Sequence, residues 1–95
     1  MSSKERKAKK DKQRAARYRA RLWEVKRESG CVDCGYNEHP VALQFDHLPE
    51  FEKVFTISQT PVSAERLEAE LLKCEVVCAN CHAVRTHERN DYYQP

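Results

Sequence analysis

The chain has 95 residues, enough for one domain with an appended arm but too few for a large core. Charged residues make up 34% of it, and no apolar run approaches the roughly 20 residues a bilayer span needs, which argues against a membrane protein. The net charge of +2 conceals an asymmetry: residues 1–30 hold twelve Lys/Arg against four acids, and residues 31–95 hold five against eleven.

A basic arm on a mildly acidic body suits a polyanionic partner, most simply nucleic acid, with DNA and RNA equally compatible by charge. A solubilising charge run is the plain alternative. The arm's Lys9, Lys10, Arg14, Arg17 and Arg21 are the candidate backbone contacts. Met1 leads into Lys/Arg-rich sequence without an apolar stretch, so no secretory signal is expected. The expected compartment is a reducing cytoplasm, where paired cysteines read as metal ligands rather than disulfides.

Taken in order, residues 1–14 are almost wholly polar and are expected to be disordered without a partner. Ala15 to Lys26 is rich in Ala, Arg and Leu and free of Gly and Pro, which predicts a helix. Tyr18, Leu22 and Val25 give it a narrow apolar stripe, with Trp23 beside them as a packing anchor. Ser29-Gly30 ends the helix. The domain reading is an arm at 1–28, a body at 29–90 and a tail at 91–95.

Within the body, Cys31-Val32-Asp33-Cys34-Gly35 forms a first metal knuckle, in which Gly35 permits the tight turn. Alternation from Val41 to His47 predicts a strand, and Val54 to Ile57 a short extended piece. A helix is expected from Thr60 or Ser63 to about Lys73, with Pro61 in its first turn and Ala64, Leu67 and Leu71 on its buried face. Cys74 to Val77 reads as a second strand, and Ala79 to Arg89 as a last helix.

The second knuckle is Cys78-Ala79-Asn80-Cys81. Two Cys-x-x-Cys pairs suit one closed tetrahedral site, so Cys31, Cys34, Cys78 and Cys81 are expected to hold a structural Zn²⁺ that staples a core too small to stand alone. Cys74 is left as a partly buried free thiol. Asp46, His47 and His82 then remain as candidates for a second, reactive metal site. An imidazole, with an ordinary pKa of about 6.5, is a natural general base. A carboxylate with an imidazole leaves most of a cation's coordination sphere open, as Mg²⁺ or Mn²⁺ prefers. Adjacent strand residues point to opposite faces, so Asp46 and His47 need a bend to serve one site.

Cys31-x-x-Cys34-Gly35, Leu43-Gln44-Phe45-Asp46-His47, Lys53-Val54-Phe55-Thr56-Ile57-Ser58 and Lys73 through His82, in that order, resemble the HNH endonuclease family. The likeness covers about residues 29–90 and is nearest to the small Cys₄-zinc members found in bacteriophages and bacteria. It implies an α+β fold: a small zinc-stapled ββα-metal domain, here with an N-terminal basic helix. It implies hydrolysis of DNA with His47 as general base and with Asp46 and His82 holding one divalent cation (Mg²⁺, Mn²⁺ or Ni²⁺). The products would carry 5′-phosphate and 3′-hydroxyl ends. A phage origin would imply the host cytoplasm and work beside a DNA-packaging terminase. The chain departs from the family in two places. Where the family has an Asn ahead of the second Cys pair, this chain has Lys73, and its own Asn80 lies inside the pair. One helical turn after His82 is Thr86, while His87 is five residues on. Lys73, Asn80 and His87 are therefore candidate supporting residues only.

Two other functions stay open: a non-catalytic zinc-stapled nucleic-acid-binding module, and an adaptor whose arm meets an acidic protein. A lone active site makes a nicking monomer the default.

Overall fold

The computed structural model describes residues 2–59 and 61–90; the tail at 91–95 and the Thr60 alternative for a helix start lie outside these. Among the described residues the chain is a small α+β unit of three α-helices and one two-stranded antiparallel sheet.

Helix α1 runs from Ser3 to Ser29, so helix covers most of the segment expected to be disordered. A capping box explains the early start. The Ser2 hydroxyl accepts from the Glu5 amide and the Glu5 carboxylate accepts from the Ser2 amide, satisfying two orphan donors. Residues 3–14 are exposed, and the helix meets the body through Tyr18 and Leu22. Trp23 is not the expected anchor: it is 39% exposed and stacks under the Arg27 guanidinium. Gly30 ends the helix at φ 62°, with its amide donating to the Lys26 carbonyl.

After the first knuckle a short 3₁₀ turn at Pro40–Ala42 leads into β1 (Leu43–His47), so the strand starts two residues later than the alternation suggested. Its partner β2 (Cys74–Cys78) pairs with Leu43 opposite Cys78 and His47 opposite Cys74. Val54 to Ile57 forms no strand. The Val54 amide is spent on a Glu70 side chain rather than on a ladder, and Ile57 turns inward. Helix α2 (Ala64–Leu71) is capped by the Ser63 hydroxyl, which leaves Pro61 outside the helix and Ala64 exposed. Helix α3 (Ala79–Asn90) follows β2 without a loop.

Among the described residues two small clusters form the core. Cys31, Leu43, Val76, Val77 and Cys78 pack under the knuckles, while Tyr18, Leu22, Ile57 and Leu67 join α1 to α2, and Phe45 packs against both. The Tyr18 hydroxyl donates to the Ile57 carbonyl at 2.6 Å, tying α1 to the loop before α2. Val76 and Val77 are both buried, so β2 is covered on its two faces.

Candidate metal centre and strand-end site

The four knuckle cysteines converge. Their Sγ atoms all lie within 4.8 Å of one another, and Cys34 and Cys78 are 3.8 Å apart. An edge of a ZnS₄ tetrahedron with bonds of about 2.3 Å is about 3.8 Å, so the cluster can hold one metal ion such as zinc. Local backbone builds each knuckle. Gly35 at φ 82° lets its amide reach the Cys31 carbonyl at 2.8 Å, and the Cys81 amide points at the Cys78 sulfur at 3.4 Å. The Val32 amide bonds the Val76 carbonyl, which fixes the first knuckle beside β2.

The thiols already show how such a cluster handles charge. Burial raises the Cys31 thiol, but amides of Cys78, Cys34 and Asp33 outweigh it and bring the group down to about 6. Cys81 is pushed far up by burial and by the neighbouring sulfurs. One thiolate forms readily and disfavours the next, which is the electrostatic situation a cation relieves. Cys74 stands outside the cluster. Burial, then Glu70 and Asp46, push its thiol up to about 11, as suits an unreactive cysteine.

At the far end of β1, Asp46 and His47 turn to different helices. Asp46 is 4% exposed and faces α3. Its Oδ2 accepts from Arg85 Nη1 at 2.7 Å and Arg89 Nη2 at 2.9 Å, and its Oδ1 accepts from Arg89 Nη1 at 2.9 Å. His82 Nε2 lies 3.7 Å from Oδ1. Burial raises the Asp46 carboxyl, yet the two guanidiniums hold it below the usual carboxylate range. Arg85 reaches further, clamping Asp33 of the first knuckle with two hydrogen bonds and Glu75 of β2 at 3.1 Å. One guanidinium therefore links the cysteine cluster to the strand-end carboxylate.

His47 faces the other way. Its Nε2 is 2.9 Å from Oε2 of Glu70 on α2, and Glu70 is 2% exposed. Lys73 is in the same network, donating to Glu70 Oε1 at 3.0 Å and to the Glu52 carbonyl at 2.9 Å. His47 also lines a cavity of about 280 Å³ with Lys26, Gln44, Lys53, Thr56 and Ser58. The fold therefore brings Asp46 and His82 together and leaves His47 apart from them. The bend expected to turn His47 toward the pair is absent, and strand alternation decides the outcome.

The supporting candidates divide similarly. Asn80 is exposed on the first turn of α3. His87 is half-buried, and its Nδ1 is buried without a hydrogen-bond partner among the described residues. In the arm, Lys9, Lys10, Arg14 and Arg17 are exposed, whereas Arg21 is engaged by Glu24 and Glu68.

Sequence reasoning missed Glu70 and Arg89. Glu70 had a signal: it falls three residues after Leu67 and one before Leu71, a carboxylate on an apolar helix face. Arg85 and Arg89 follow His82 at helical spacing, which stacks all three on one side of α3. No family model, curated protein or solved structure matches the chain. Among the described residues no helix is long and apolar enough to cross a membrane.

Proposed function

We propose that this chain is a divalent-metal-dependent DNA endonuclease of the HNH type, hydrolysing a phosphodiester with His47 as general base. One observation carries the reading: Asp46 at the end of β1 and His82 on the first turn of α3 present donor atoms 3.7 Å apart, beside a four-cysteine cluster. The order of an antiparallel strand pair followed by a helix supports it in coarser form.

The donor set fits a cation. A carboxylate offers about four lone-pair directions, and the two arginines use three of them. The fourth is on Oδ1, the oxygen nearest His82. These two side chains are the ones that would hold the ion. Bound there, a divalent cation would supply positive charge to the phosphate and to the leaving 3′ oxygen. Arg85 and Arg89 repel a dication and attract a phosphate, so metal and DNA are expected to bind together rather than separately. His47 takes the proton from the attacking water. Because His47 and the Asp46–His82 pair serve opposite faces, the scissile phosphate must lie across the end of β1 to meet both. Lys26 and Lys53 flank the His47 side with positive charge. The exposed basic residues of α1 add backbone affinity without sequence readout.

The test is plasmid nicking across Mg²⁺, Mn²⁺ and Ni²⁺. Wild type is expected to nick, and His47→Ala is expected to lose activity with zinc content and folding unchanged. Undiminished nicking by His47→Ala would remove the assignment of the base. A second reading, a non-catalytic zinc-stapled nucleic-acid-binding module, is favoured by the three arginine hydrogen bonds that Asp46 already accepts. It requires no cleavage by wild type with any of these metals, and DNA binding that survives Asp46→Ala.

A further inference from the structure

We infer that Glu70 is a positioning residue for His47, holding the imidazole through Nε2–H and leaving Nδ1 as the nitrogen that accepts a proton. The inference rests on the reading of His47 as general base.

Glu70 is a buried carboxylate that the proposed chemistry does not otherwise use. It sits on the inner face of α2 at 2% exposure, a placement tolerated for a charge only when its oxygens are satisfied. They are: Oε2 is 3.0 Å from the Val54 amide and 2.9 Å from His47 Nε2, while Oε1 accepts from Lys73 Nζ at 3.0 Å. Burial raises the Glu70 carboxyl, but the Val54 amide, Lys73 and His47 outweigh it and hold it below the usual carboxylate range.

An ionised carboxylate can only accept, so the hydrogen between Glu70 and His47 belongs to Nε2. A neutral imidazole carries one N–H, which leaves the lone pair on Nδ1. The same bond fixes the ring's rotation, since Glu70 is itself held from two other directions. The network spans three elements: α2 supplies Glu70, the loop after β1 supplies the Val54 amide, and Lys73 precedes β2. Lys73 therefore acts on the imidazole only at one remove. The base is oriented by a carboxylate 23 residues away in the chain, not by a neighbour of the second Cys pair.

A purely structural Glu70, which merely pins Val54 and Lys73, would make no demand on the imidazole's tautomer. The experiment therefore reads the ring directly. Long-range ¹H–¹⁵N correlation on the full-length zinc-loaded chain is expected to show neutral His47 protonated on Nε2. Glu70→Leu, which removes the acceptor, is expected to mix the tautomers and to lower kcat for nicking by about 100-fold or more with KM little changed. Glu70→Gln keeps an acceptor oxygen for the ring, so the Nε2–H tautomer should persist with kcat within about tenfold of wild type. If Glu70→Leu fails to fold, the wild-type and Glu70→Gln spectra decide. Wild-type His47 protonated on Nδ1, or Glu70→Leu with an unchanged tautomer and kcat, would overturn the inference. A wild type that fails to nick with any of these metals overturns the nuclease reading instead, and the tautomer spectrum still decides whether Glu70 holds the ring.

Discussion

Two carboxylates, Asp46 and Glu70, organise the strand end, and each is buried in a shell of donors. Removing one Asp46 partner should shift its preference between guanidinium and metal. Two unit charges about 4 Å apart interact by about 1 kcal/mol even in water, so Arg89→Ala is expected to strengthen Mn²⁺ binding to the free protein several-fold. Titration of Mn²⁺ followed by electron paramagnetic resonance checks this, and the same variant should hold DNA less tightly. Glu70 carries a pH signature. Its folded carboxyl is held below its ordinary range, so its stabilising contribution is fully present above the unfolded value and is lost as pH falls through the folded one. Stability should therefore fall as pH drops through the acidic carboxylate range, and Glu70→Gln should flatten that limb while lowering neutral stability by about 1–3 kcal/mol. Urea melts at several pH values check both parts.

Helix α1 shows why propensity alone misplaced a boundary. The residues before Ala15 bury nothing, yet the Ser2–Glu5 capping box begins the helix there. The two halves of α1 have separable jobs. Tyr18→Phe, which removes the hydrogen bond to the Ile57 carbonyl, should cost about 0.5–1.5 kcal/mol, and Leu22→Ala about 2–5 kcal/mol. Deleting residues 1–14 should leave stability nearly unchanged, because these side chains are exposed. It should weaken DNA binding and lower the slope of log K against log salt by about 0.9 for each phosphate no longer neutralised. Fluorescence anisotropy at several salt concentrations measures that slope. An unaltered slope would assign the arm to another partner.

At the scale of the whole molecule, the described residues bury two small clusters with Phe45 packed against both. Burial on this scale leaves little margin over conformational entropy, so a metal in the four-cysteine cluster is expected to decide stability. A strong chelator should abolish cooperative unfolding, seen by near-UV circular dichroism and differential scanning calorimetry. Cys34→Ser should lower zinc stoichiometry, whereas Cys74→Ser should not, since Cys74 lies outside the cluster. Metal loss should also reach the strand end, because Arg85 joins Asp33 of the first knuckle to Asp46.

What the sequence determined by itself is what short-range pattern encodes. Cys-x-x-Cys spacing fixed the knuckles, alternation located β1, and helical periodicity found the docked half of α1 and the inner face of α2. These features need only a few neighbouring residues to agree. Tertiary structure alone decided which partner each charged side chain met. His47 meets Glu70 across 23 positions, and Asp46 meets Arg85 and Arg89 across 39 and 43. No local period records such pairings, because they depend on the angle at which α2 and α3 cross the strand pair. The Asp46-His47 dipeptide was legible as a candidate reactive centre, but strand alternation sent its two side chains to different helices, and only the packed fold shows which ones.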